Sequence, residues 1–307
     1  MTENQKRQAM IPEGAAIFDN EAGTAPGVAM QGGGKNLVHL PGPPSEMRWM
    51  YENRLKPWLL KTFGSQGSIR SLYIKIYDMG EAFIEERLMD LVKDQSNPTL
   101  AMYARPGFVE VRLTARADSE EQAEALLEPL EEEVRSRLND QIVSFNDETM
   151  ADVLGREVRQ AGYIVSAAES CTGGLIGSLI TDIPGASDYF RGSAGTYCNE
   201  MKEKLLGVSH ETLERYTAVS AETAAEMADG SRRLYGSDIA VSTTGIAGPG
   251  GGTEEQPVGL VYTGVSGPWG TLVHRDVYHG GRAEIKRRAA VRAIYYVVRY
   301  LVNHKNK

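Results

Sequence analysis

VSAAESCTGG (165–174) and GTYCNEMKEKLLGV (195–208) decide the reading of this chain. In the first, a short apolar run (163–165) gives way to small residues, then to Glu-Ser-Cys-Thr, two glycines and an apolar helical pattern. That succession predicts a strand, a loop and a helix. The loop faces the helix N-terminus, where free backbone N–H groups can hold an anion or a developing oxyanion. In the second, Tyr197 is expected to end a strand and Lys202 to stand on the helix that follows. Hydroxyl, thiol, phenol and amine then come from two neighbouring loops, a set suited to acyl-group chemistry without a metal.

Working outward, a third domain is expected over 147–307. Asp147 or Thr149 caps a helix with apolar residues Met150, Val153, Leu154 and Val158, which ends at Gly162. Strand 163–167, helix 173–181, strand 193–198 and a helix through Leu206 follow. Ser220, with Thr223 three residues on, starts a helix to Leu234. Strand 239–243 runs into a glycine-rich loop (245–252). A hairpin, 258–265 with 270–278, precedes a final helix, 282–302. Helices interleaved with strands, plus one hairpin, indicate a three-layer α/β/α domain with a mixed sheet.

Upstream, residues 65–146 read as β (70–77), α (79–92), β (100–104), β (109–115), a helix from Ser119 to Leu138 and β (141–145), with a turn at 105–107. This βαββαβ order is ferredoxin-like. The acidic face of its second helix, with Glu131, Glu132 and Glu133, is a solvated surface, and the module reads as a spacer or oligomerisation unit. Residues 1–64 hold one short strand (36–40) and one helix (46–60). Pro43 and Pro44 favour that helix start, Ser45 is the expected cap, and Met47, Met50, Leu55 and Leu59 are the candidate buried positions. The glycine-rich stretch before it carries too little apolar periodicity to build a core.

Composition bounds the function. The chain has 307 residues and a net charge of −8, and no long Lys/Arg block, so direct nucleic-acid binding has no electrostatic support. No apolar run is long enough to span a bilayer, and the N-terminus lacks the apolar core of a signal peptide. Two cysteines make no disulfide framework, which points to a reducing cytoplasm. A membrane or metal partner is not expected, nor is a cofactor.

The chemistry divides among several groups. A helix cap accounts for one hydroxyl, most simply Thr172, but not for Ser170, Cys171 and Thr172 together beside Glu169. Cys171 is a second candidate nucleophile, because a helix N-terminus lowers a thiol's pKa. Neither His210 nor His274 stands in a tight motif with it. Lys202 serves as base for a serine only with a depressed amine pKa, from burial or from a neighbouring cation such as Arg282. Taken alone it reads as a solvated helix residue. The 245–252 loop is neither a Walker loop nor a GxGxxG turn. By spacing it is a wide hairpin or a crossover loop, with a phosphate- or ribose-binding role open.

AESCTGG, TDIPGAS, GTYCNEMKEKLLGV, AVS, TTGIAGPGGGTEEQPVGLVY and GGRAEIKRRAA succeed one another over 168–290. This series closely resembles the C-terminal, nicotinamide mononucleotide deamidase (PncC) domain of CinA-family proteins. The resemblance implies a cytoplasmic, metal-independent amidohydrolase that converts nicotinamide mononucleotide to nicotinate mononucleotide and ammonia, and it implies a homodimer. It places catalytic roles on Ser170, Tyr197 and Lys202. Substrate-binding roles fall on Glu169, Cys171, Thr172, Gly173, Asn199, Thr244, Gly245, Ala247, Gly248 and Arg282. One departure is Cys198, where the family's usual residue is Ser, so a hydrogen bond from that position is weakened. NQKRQAMIPEGAAIFDNEAGTAPGV and LPGPPSEM resemble the last third of the family's N-terminal domain, which is similar to molybdopterin-binding folds. Its nucleotide-site segment has no counterpart here, which counts against an ADP-ribose pyrophosphatase activity. A non-catalytic, partner-binding scaffold is the remaining alternative.

Overall fold

The computed structural model describes residues 10–64, 67–77, 79–93, 95–105, 108–138 and 142–304. The chain's first nine residues, the 106–107 part of the expected turn and Gln141 lie outside them. The fold is mixed α/β and divides into two units: residues up to Arg70 with Arg116–Ala125, and Ser71–Ala115 with Leu126 onward.

In the first unit the glycine-rich segment is ordered, contrary to the sequence reading. β1 (Ala16–Phe18), β2 (Gly27–Gly32) and β3 (Lys35–His39) form an antiparallel sheet. β3 is the strand expected at 36–40, whereas β1 and β2 escape pattern reading because β1 is three residues long and β2 starts and ends on glycine. The expected single helix is α1 (Pro44–Met50), a π-helical turn (Tyr51–Leu55) and α2 (Lys56–Phe63). Its N-cap is Pro43 rather than Ser45, with Pro44 in the first turn, where a missing N–H costs nothing. Phe18, Ala29, Met50 and Leu55 make a small core, and Trp58 packs edge-on against Phe18. Met47 stays 37% exposed.

β4 (Ser68–Tyr77), α3 (Glu81–Lys93), β5 (Thr99–Arg105), β6 (Phe108–Ala117), α4 (Glu120–Leu138) and β7 (Ile142–Phe145) reproduce the ferredoxin-like order, with strands arranged β5-β6-β4-β7. Glu131 and Glu133 make i,i+4 ion pairs with Arg135 and Arg137 on the solvated side of α4.

The C-terminal domain begins with α5 (Met150–Ala161), closed by a Thr149/Asp152 capping box and a left-handed Gly162. Then come β8 (Val165–Glu169), α6 (Leu175–Thr181), β9 (Phe190–Gly195), α7 (Asn199–Leu206) and α8 (His210–Tyr216). They are followed by α9 (Ala221–Tyr235, capped by Ser220), β10 (Ile239–Gly245), β11 (Leu260–Gly267), β12 (Gly270–Val277) and α10 (Arg282–Val302). Strand order is β12-β11-β10-β8-β9, with β10, β8 and β9 parallel and β11 and β12 antiparallel. The glycine-rich loop therefore joins an antiparallel pair and is a hairpin connection. α10 packs with α5 and α6, and α9 with α7 and α8, so the sheet is the middle of three layers.

β8 is buried at every position, as the centre of a parallel sheet covered on both faces requires. Val165 and Ala167 join the α5–α6–α10 core, whereas Ala168 joins the α7–α9 side. The chain leaves β8 for β9 on one side and then returns to β10 on the other. β8 is thus a topological switch point, and open α/β sheets bind their ligands outside the carboxyl ends of strands at such points.

Candidate active site

Ser170 is the first residue past the carboxyl end of β8, 8% exposed, with its N–H donating to Thr243 O at 3.0 Å. Lys202, on α7, is 1% exposed. Its Nζ donates to Ser170 Oγ at 3.2 Å and to Thr196 O at 3.0 Å. Thr196 is itself held by its N–H on Glu169 O at 2.8 Å, so three residues from the ends of two adjacent strands frame one buried amine. No carboxylate pairs with Lys202 among the described residues. Burial lowers its pKa from the ordinary 10.5, and the nearby Cys198 and Cys171 sulfurs pull the other way. Arg282 is not a cause of that shift.

The turn carrying Ser170 is built by Glu169. This carboxylate, 1% exposed, accepts the N–H groups of Gly174 (2.9 Å), Ile176 (3.0 Å) and Gly177 (2.9 Å), and the Ser193 hydroxyl at 2.7 Å. It neutralises the positive end of α6 from inside the protein. This corrects two expectations. Glu169 has no free oxygen for a substrate, and the α6 terminus is not an open anion site. Gly173 N–H, moreover, returns to Ser170 O at 3.1 Å.

Three other sequence candidates are likewise committed inside the fold. Cys171 is 6% exposed and packs with Val261, Ala289 and Tyr278. Burial pushes its thiol up to about 12, so it is no nucleophile at neutral pH. Thr172 does not cap α6; its hydroxyl meets that of Thr243 at 2.7 Å in the interior. Thr244 donates to Ala218 O at 2.5 Å and is 1% exposed.

The remaining candidates gather at the open side. β9 ends at Gly195, so Tyr197 lies in the loop beyond the strand rather than at its end, and it is 67% exposed. Its Oη accepts from Arg282 at 2.9 Å, and Arg282 also donates to Gly248 O at 2.7 Å. No hydrogen bond joins Tyr197 to Ser170 or Lys202 among the described residues. Arg282 thereby ties the Tyr197 loop to the 246–259 connection, in which Ala247 is buried. At Gly245 a Cβ would meet Leu260 O at 2.4 Å, so only glycine lets that connection leave the sheet. Asn199 is exposed at the start of α7, whose N-cap Cys198 makes no side-chain capping bond. A serine at that position supplies such a bond readily.

Sequence reasoning passed over Thr196, Thr243, Ser193 and Lys286. The first three act through strand pairing that no local pattern reveals. Lys286 stands four residues after Arg282 on α10, and that spacing is readable; its Nζ lies 3.2 Å from where a Cβ on Gly173 would be. Among the described residues no group of three or more His, Cys, Asp and Glu side chains is arranged to hold a metal ion, and no helix is long and apolar enough to cross a membrane.

Residues 147–301 match the family model of the CinA C-terminal domain, and residues 71–144 match that of the damage-inducible protein CinA KH domain. A CinA-like protein from Kosmotoga olearia is 43% identical over 98% of this chain and 73% of its own length. A putative competence-damage inducible protein from Moorella thermoacetica is 46% identical over 98% of this chain and 72% of its own. The crystal structure of the competence/damage inducible protein CihA from Agrobacterium tumefaciens covers 50% of this chain and 93% of its own, at 40% identity and a TM-score of 0.48. By the two family models and the two relatives, the chain belongs to the CinA family.

Proposed function

We propose that the C-terminal domain hydrolyses the carboxamide of nicotinamide mononucleotide to nicotinate mononucleotide and ammonia. The observation that carries this reading is the buried Ser170–Lys202 pair, an amine with no counter-ion and a lowered pKa 3.2 Å from a hydroxyl. In the neutral amine the contact reverses, and the Ser170 O–H donates to the nitrogen lone pair. Ser170 Oγ adds to the amide carbonyl carbon, its proton passes to Lys202 Nζ, and the carbonyl π electrons move to oxygen. Collapse of that intermediate breaks the C–N bond, and Lys202 returns the proton to the departing ammonia. Water then attacks the acyl-enzyme by the same route, and Ser170 is regenerated.

Tyr197, Asn199 and the loop with Gly245, Ala247 and Gly248 receive the ribose, and Arg282 receives the phosphate. Glu169, Thr172, Cys171 and Thr244 support this reading as the frame of the site. Ammonia release from nicotinamide mononucleotide, measured for the parent, Ser170→Ala and Lys202→Ala, is the test. Turnover by the parent alone is expected; an active Ser170→Ala variant removes Ser170 as nucleophile. A homodimer is proposed on the family resemblance, and sedimentation of the purified chain checks it.

A further inference from the structure

Most of the N–H groups around the Ser170 turn are committed. Ser170 donates to Thr243 O, Gly173 to Ser170 O, and Gly174, Ile176 and Gly177 to Glu169. Addition to a carbonyl nevertheless places a full negative charge on oxygen beside this turn, and such charge is stabilised by donors already in position. Five of the backbone donors around the turn are already taken.

A cation does stand there. Lys286 rises from the first turns of α10, half-buried, with its Nζ and Cε 3.2 and 3.7 Å from the position a Cβ would take on Gly173. Gly173 adopts φ +64, and its missing side chain leaves the space through which the lysine reaches the turn. Among the described residues Lys286 has no ion pair and no hydrogen bond. Arg282, one turn earlier, is by contrast taken up by Gly248 O and Tyr197 Oη.

We propose that Lys286 is a catalytic residue whose side-chain nitrogen donates to the carbonyl oxygen as Ser170 adds. The inference rests on the amidase reading for its natural substrate, but not for its chemistry. Any electrophile that Ser170 attacks with charge developing on oxygen will draw on Lys286.

Two readouts test it on the full chain with Lys286→Met and Lys286→Arg. One is kcat and KM for nicotinamide mononucleotide. The other is the rate at which a fluorophosphonate modifies Ser170, followed by mass spectrometry. There the Ser170 Oγ–P bond forms, fluoride leaves, the proton goes to Lys202, and charge gathers on the phosphoryl oxygen. Lys286→Met is expected to lower both kcat and the labelling rate by about 10²–10³-fold, with KM nearly unchanged and an unaltered Tm, and Lys286→Arg to recover most of the loss. Labelling at the parental rate in Lys286→Met overturns the proposal. So does a raised KM with parental kcat, which would make Lys286 a ground-state phosphate contact. Lys286-dependent labelling in a parent that releases no ammonia would leave this inference standing and remove the proposed substrate.

Discussion

Lys202 reaches Ser170 Oγ at 3.2 Å from a position 1% exposed, and its second hydrogen bond goes to the Thr196 carbonyl rather than to a carboxylate. A charged amine buried without an anion costs stability, and a neutral one does not. Burial of this amine thus favours its neutral form at some cost to stability.

The first prediction concerns that cost. Because the folded-state pKa of Lys202 lies below 10.5, the unfolded chain binds its proton more readily, and the penalty on folding is full at low pH and vanishes as pH rises through 10.5. Lys202→Met, which keeps the stem and removes the charge, should abolish ammonia release. It should also raise Tm at pH 7 by roughly 2–4 °C for each kcal/mol or so regained. The gain should shrink toward pH 10, and thermal unfolding at both pH values checks it.

Activity should follow the same titration. Only the neutral amine accepts the Ser170 proton, so kcat/KM should rise with pH along an acid limb whose midpoint lies below the ordinary lysine value of 10.5. The fluorophosphonate labelling rate at Ser170 should show the same limb. A flat profile from pH 6 to 10 would remove Lys202 as the base.

Glu169→Gln should disable the site without touching the substrate. The carboxamide keeps one acceptor oxygen and turns an NH2 toward donors that Gly174, Ile176, Gly177 and Ser193 aim at two oxygens. A loss of about 1.5–3 kcal/mol is expected, measured by urea unfolding, with kcat falling more than KM rises.

Tyr197→Phe separates binding from proton transfer. The phenol contacts Arg282 and not the Ser170–Lys202 pair, so Ser170 labelling should proceed at the parental rate while KM for nicotinamide mononucleotide rises about tenfold, the equivalent of one hydrogen bond to a charged group. Slowed labelling would restore a relay role to Tyr197.

The two thiols should differ in the native protein. Cys198 is exposed and Cys171 is buried, with its pKa pushed up to about 12. Maleimide at pH 7.5 should modify Cys198 alone, and Cys171→Ala should stay active, as peptide mapping and ammonia assay will report.

Most of the C-terminal layering was readable because its signals are local. Thr149, Ser220 and Gly162 mark helix ends through bonds to residues three or four away, and α10 shows its buried stripe in the sequence itself. Of the small N-terminal sheet only β3 was readable, since β1 is three residues long and is held by pairing with β2 and by the Phe18–Trp58 contact.

The site divides along the same line. Residue types and spacing brought out Ser170, Cys171, Tyr197 and Lys202 as candidates, with Lys202 alone reading as a solvated helix residue; the resemblance to the CinA family implied the catalytic roles of Ser170, Tyr197 and Lys202 and the binding role of Arg282. What each one faces was decided in three dimensions. Burial lowered the pKa of Lys202 and raised that of Cys171, and strand pairing brought the Thr196 and Thr243 carbonyls to the pair. Glu169 became the cap of α6 instead of a ligand, and Lys286 arrived at Gly173 from a helix more than a hundred residues away. A sequence lists functional groups and local bonds, whereas desolvation and the partner of each donor depend on which distant segments exclude water together.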